Sequence, residues 1–158
     1  MQKIRTCLWF NGNAPEAMAF YQSVFPGPAG KLTYFTTDTD HGEKGKVLTA
    51  EWEMAGVEFM AINGDIDFPF SEAVSLSVDC ADQAEVDRLW AALLADGGTE
   101  SVCGWLKDRF GMSWQVVPRR LPELLADPDQ AKAGRVLQAM MQMVKIDVAQ
   151  LEAAAAAG

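Results

Sequence analysis

The chain has 158 residues, 49% of them apolar and 22% charged, enough for one domain or two small halves sharing a core. A formal net charge of −9 argues against nucleic acid or an anionic membrane as partner, since both repel an acidic surface. Cys7, Cys80 and Cys103 are odd in number and in no paired spacing, and neither a bilayer-length apolar run nor a basic-then-apolar leader is seen, so a reduced, cytoplasmic protein is expected.

The first strand is predicted over Lys3 to Phe10, "KIRTCLWF". Asn13 with Glu16 three residues later predicts a capping box ahead of "AMAFYQSVF", and Pro26-Gly27 ends that helix. Strand-like segments follow over 31–36, 47–54 and 57–63, with a turn at Ala55-Gly56. The polar loop Thr37 to Lys46 carries the only histidine, His41, whose plain reading is a solvated loop side chain. "SLSVD", Ser75 to Asp79, then repeats the opening grammar: a strand, an acidic cap at Asp82, glutamate at position 85, an aromatic mid-helix and a glycine stop. A shift of 69 lays Asn13 on Asp82 and Thr6 on Ser75, which reads as an internal repeat. Short strands near Thr99 to Val102, at Trp105-Leu106 and over Ser113 to Val117 complete it, and a shift of 55 brings Gly56 onto Gly111 and Met60 onto Gln115. Each half therefore reads β-α-β-β-β. The expected divisions are 1–68, 69–120 and a helical tail over 121–158, within one domain. In the tail, Asp127-Pro128 predicts a cap and first helical residue of a helix running to about Met143. Asp147 predicts a second cap, with Ile146 and Leu151 as its hydrophobic staple.

Alternation sorts the strands onto two faces. Leu48, Ala50, Trp52 and Met54 point under a helix, as do Trp9 and Trp114; Thr6, Thr49, Glu51, Ser75, Ser113 and Gln115 fall on the opposite, semi-polar face. That face suits a ligand cleft, and equally a sheet with one solvated side. Glu51 is the carboxylate best suited to proton transfer if its face is the cleft, and otherwise a solvated strand glutamate. Cys7 and Cys103 could be nucleophiles only with a positive or histidine neighbour to make a thiolate; His41 is remote in sequence, which favours buried structural thiols. Asp108, in Lys107-Asp108-Arg109, is placed to accept from turn amides, and Trp105 to stack on a planar ligand.

Paired βαβββ modules resemble the vicinal oxygen chelate superfamily of glyoxalase I, fosfomycin-resistance and bleomycin-binding proteins and extradiol dioxygenases. Within it the chain resembles the PhnB-like group labelled 3-demethylubiquinone-9 3-methyltransferase. The resemblance rests on "LWFNGNAPEAMAFYQSVFP", "FMAING", "EAVSLSVDCADQAEVDRLWAAL", "CGWLKDRFGMSWQVVP" and "AMMQMVKIDVAQLE". It implies an α+β fold, a curved mixed sheet with helices outside plus C-terminal helices, in a homodimer whose clefts lie where modules meet. In metal-using relatives the ligands are typically His, Gln or Glu on the first and last strands of each module, which carry over to Thr6, Met60, Ser75 and Gln115. A methionine, two hydroxyls and one amide would not hold a divalent ion, so neither metal nor cofactor is expected. The common adenosylmethionine-dependent methyltransferases need a glycine-rich strand-to-helix turn, and none stands here; "FPGPAGK" follows a helix and carries prolines. The expected function is small-molecule binding, with Thr6, Thr49, Met60, Ser75, Trp105 and Ser113 as contacts. The alternative is an enzyme on a small substrate, aromatic or not, either glyoxalase-like or the 3-demethylubiquinone-9 3-methyltransferase of the family label, with Glu51 or Gln115 at the chemistry.

Overall fold

A computed structural model describes residues 3–158 and divides the chain into two units, Met1–Pro69 and Phe70–Gly158. The first contains β1 (Thr6–Asn11), α1 (Ala14–Val24), β2 (Lys31–Tyr34), β3 (Val47–Met54) and β4 (Val57–Gly64). Its sheet runs β1-β4-β3-β2, with β1 parallel to β4 and the other neighbours antiparallel. Ala55 and Gly56, at φ of 48° and 81°, make the two-residue β3–β4 turn, where both positions need a left-handed backbone. α1 turns Ala14, Ala17, Tyr21 and Val24, one stripe at helical spacing, onto Leu8, Phe10, Ala50, Trp52, Phe59 and Ala61. Tyr21 stacks on Trp52 and Trp52 on Phe59, each at 5.9 Å between centroids.

The second unit repeats the plan with β5 (Ser75–Cys80), α2 (Gln83–Leu94), β6 (Thr99–Glu100), β7 (Trp105–Lys107) and β8 (Ser113–Pro118). The sheet order is β5-β8-β7-β6, with β5 parallel to β8. Val86, Leu89, Trp90 and Leu93 of α2 are buried together with Leu106, Trp114 and Val116. Three helices follow: α3 (Arg120–Leu125), α4 (Gln130–Met140) and α5 (Val148–Ala156). They build a small core from Leu121, Leu124, Val136, Met143, Ile146, Leu151 and Ala155.

The helix starts differ from the sequence expectation in instructive ways. At α2 the capping box forms: Asp82 accepts from the Glu85 amide at 2.9 Å, and Glu85 accepts from the Ala81 amide at 2.8 Å. At α1 the Asn13 side chain caps nothing; Asn63 of β4 accepts from the Ala14 amide at 3.0 Å instead, tying helix to sheet. In the tail, Asp129 rather than Asp127 caps α4, which ends at Met140 rather than Met143; Asp127 instead binds Lys132 at 2.6 Å. Asp147 caps α5, and both staple residues, Ile146 and Leu151, are fully buried.

The repeat is not uniform. In parallel register Thr6 lies beside Phe59, and Leu76 beside Trp114. The strands therefore superpose with a shift of 70, the helix caps with 69. The extra residue of the first unit is Gly12, at φ 86°, a bend that a side chain would strain.

Candidate functional site

On the first unit, α1 covers the face holding Leu8, Phe10, Ala50, Trp52, Phe59 and Ala61, so the other parity forms the open face. Thr6 shares a parity with Leu8 and Phe10 and lies on the helix-side face; Cys7 is the β1 residue beside Met60. Trp9 moves with Cys7 to the open face, contrary to expectation. Its indole donates to the Ile66 carbonyl at 2.7 Å, meets Phe68 edge-on and lies where a side chain on Gly64 would have to go.

Two cross-strand rows define this open face. Lys31, Glu51, Met60 and Cys7 form one, and Thr33, Thr49, Ile62 and Trp9 the other. Thr33 and Thr49 share a hydrogen bond of 2.6 Å between hydroxyls. Arg5 donates to Glu51 at 3.1 Å. A cavity of about 290 Å³ is lined by Arg5, Lys31, Glu51, Glu53 and Glu58 against Trp52, setting three carboxylates against two cations.

The second unit's open face carries Ser75, Ser77, Ser113, Gln115, Trp105 and Lys107, in register with one another. Gln115 lies between Ser77 and Trp105, and its amide donates to Ser75 Oγ at 2.9 Å. Ser113 lies between Ser75 and Lys107, is 1% exposed, and its Oγ has no hydrogen-bond partner. Lys107 reaches Glu72 at 2.6 Å, and that hydrogen bond holds the Glu72 carboxyl below its usual range.

Beneath this face Asp108 works as a turn clamp. It is 2% exposed and its carboxylate accepts from the amides of Phe110 (2.9 Å) and Met112 (3.1 Å) and from the Trp114 indole (2.8 Å). The turn thereby fixes where β8 starts, and with it Ser113 and Gln115. Asp108 thus accepts from turn amides, as its sequence setting suggests.

The structure therefore gathers Ser75, Ser113, Gln115 and Trp105 on one face, and Thr49, Glu51 and Met60 on another, and leaves Thr6 out of both. Sequence reading missed Arg5 and the Lys107–Glu72 pair, and weighed Cys7 as a thiol without placing it beside Met60. His41 is exposed in its loop, 3.5 Å from Asp65. Cys103 lies 3.9 Å from the Met141 sulfur, and Cys80 is buried with its thiol pushed up to about 11, chiefly by burial.

Comparison with known proteins fixes the family. A family model described as 3-demethylubiquinone-9 3-methyltransferase matches residues 2–117. The chain belongs to this PhnB-like family. A solved PhnB protein from Bacillus cereus is 33% identical, covers 74% of this chain and 99% of its own, and superposes with a TM-score of 0.64. Protein PA1353 from Pseudomonas aeruginosa shares the fold at 24% identity and a TM-score of 0.60, covering 75% and 98%. No curated protein matches. With two βαβββ units and C-terminal helices, this PhnB-like chain has the glyoxalase/bleomycin-resistance fold of the vicinal oxygen chelate superfamily.

The resemblance puts the ligands of metal-using relatives on the first and last strands of each unit, at Thr6, Met60, Ser75 and Gln115; because Thr6 faces the helix, Cys7 stands beside Met60 in its place, and Ser75 stays with Gln115 on the second open face. This donor set does not fit a divalent ion. Cys7, an exposed thiol, is the one strong soft donor among them, and a divalent ion needs several. Met60 offers a thioether, Ser75 a neutral hydroxyl, and Gln115 an amide already engaged with that hydroxyl. Among the described residues, no group of three or more histidine, cysteine or acidic side chains is placed to hold a metal ion.

Proposed function

We propose that this PhnB-like chain binds a small molecule on its polar sheet faces without the divalent metal of its metal-using relatives. What carries the reading is that the positions carried over from the metal ligands offer Cys7, Met60, Ser75 and Gln115, on faces that keep Thr49, Glu51 and Trp105 available for contact and hold Ser113 buried beside them. Hydroxyls, an amide and an indole orient a small polar or planar ligand, and do not activate one. The family description names a methyl transfer. The β1–α1 turn here is Gly12-Asn13 and the β5–α2 turn Ala81-Asp82, neither of them the glycine-rich nucleotide loop of doubly wound methyltransferases. As part of the same reading, the chain acts in the cytoplasm as a homodimer. No helix among the described residues is long and apolar enough to cross a membrane.

Thermal melting against a panel of small planar and polar compounds, with a chelator present throughout, tests the reading. A compound that raises the melting temperature saturably under chelation is the expected outcome, with the rise diminished in Glu51→Gln or Gln115→Ala. Stabilisation that appears only when the chelator is replaced by zinc, nickel or manganese contradicts it. Turnover of the bound compound, lost in those variants while binding persists, would favour an enzyme.

A further inference from the structure

Ser113 stands apart from the other polar residues of the open face. The hydroxyls of Thr33, Thr49 and Ser75 each have a hydrogen-bond partner, whereas Ser113 Oγ is buried and has none. A buried hydroxyl without a partner forfeits hydration and gains nothing within the fold, which costs about 1–3 kcal/mol. Such a group asks for an acceptor from outside the chain.

The neighbours of Ser113 say what that acceptor is. On one side of Ser113 in the sheet stands Lys107, on the other Ser75. Glu72, three residues before Ser75, holds Lys107 Nζ at 2.6 Å, so the ion pair ties the turn that leads into β5 to β7. Both members are partly exposed, at 37% and 65%, and such a pair opens at little cost. Lys107 and Ser113 are cross-strand partners, so a cation and a hydroxyl donor stand side by side in the sheet. Two positions along β7 on the same face, and directly beside Gln115, Trp105 offers a half-buried aromatic surface.

We infer that Ser113 Oγ and Lys107 Nζ form the seat for a ligand carboxylate, which displaces Glu72 from Lys107, with the planar body of the ligand lying against Trp105. A ligand carboxylate exchanges like for like with Glu72, so the charge on Lys107 stays balanced while Ser113 gains the acceptor it lacks. One cation matches a monoanion; a phosphate dianion would leave one charge uncompensated on a chain of net charge −9. This seat rests on the small-molecule reading above and names the ligand class for it.

The test is calorimetric titration of the full chain at low ionic strength with benzoate, and in parallel with benzamide and inorganic phosphate. Saturable benzoate binding is expected, with benzamide and phosphate at least tenfold weaker. Ser113→Ala should weaken benzoate about tenfold or more, because a hydrogen bond to a charged group is lost. Its melting temperature should be unchanged or raised, since an unsatisfied hydroxyl has gone. Lys107→Met should abolish binding, and Glu72→Gln should tighten it by freeing the ammonium. Equal benzoate affinity in wild type and Ser113→Ala overturns the seat, as does phosphate binding more tightly than benzoate. Benzamide binding without benzoate binding overturns the carboxylate seat and leaves small-molecule binding standing. Failure of all three probes overturns the seat, and the small-molecule reading is then judged separately by the chelator-treated panel.

Discussion

Asp108 shows how a single buried charge organises a surface. It accepts from two backbone amides and one indole with almost no contact with water, so removing the carboxylate leaves those donors unpaired in the interior. Asp108→Ala is expected to lower unfolding stability by about 3 kcal/mol in urea denaturation. Asp108→Asn should lose less, since one amide oxygen still accepts; equal stability of wild type and Asp108→Ala would contradict the clamp. The role of Asp108 was legible in sequence because an aspartate entering a glycine turn has few other tasks. Thr6 was not legible. "TCLWF" is apolar at both parities, so alternation alone leaves open whether Cys7 and Trp9 or Leu8 and Phe10 meet the helix. Packing of α1 decides for Leu8 and Phe10, and Thr6 goes with them. Arg5 belongs to the same hidden phase: it alternates with Cys7 and Trp9 and so reaches Glu51.

At the scale of elements, the repeated grammar of strand, cap and helix carried most of the fold. What it concealed was Gly12, one inserted residue that shifts strands by 70 and helices by 69. A repeat found by superposing caps therefore assigns strand residues one place out. α3 falls in the expected helical tail but was not read as a helix of its own, and it carries Pro122. The proline sits within the first turn, where its missing amide has no intrahelical partner to lose. The join between the second sheet and the tail is made by backbone: the amides of Cys103 and Gly104 donate to Met143 and Val144 carbonyls, both at 2.8 Å. Gly104 has φ 82°, and a Cβ there would stand 2.9 Å from Ile146 Cγ1 and 3.0 Å from the Val116 carbonyl oxygen. Gly104→Ala is expected to cost about 2–3 kcal/mol, through backbone strain and the clash with Ile146. Limited proteolysis should then cut first within 119–158; a cleavage pattern unchanged from wild type would contradict this account of the join.

For the whole molecule, the family match ends at residue 117, and the Bacillus cereus relative, nearly all of it covered, accounts for 74% of this chain. The helical tail beyond carries its own core and is anchored by Gln83, which donates to the Ile146 carbonyl and accepts from the Val148 amide. The paired-module plan was readable from the sequence because repeats, caps and turn glycines are local signals, and the family because long motifs such as "CGWLKDRFGMSWQVVP" resemble it. The ligand face was readable only in part, since its residues become neighbours through strand register, which sequence spacing does not encode where both parities are apolar. The central claim is chemical: a member of a metal-chelating superfamily whose paired ligand positions hold a thiol, a thioether, a hydroxyl and an amide. Metal content of protein purified without a histidine tag, measured by plasma mass spectrometry, tests it most directly. The account predicts zinc, nickel and manganese far below one per chain; any one of them at stoichiometric level would contradict it.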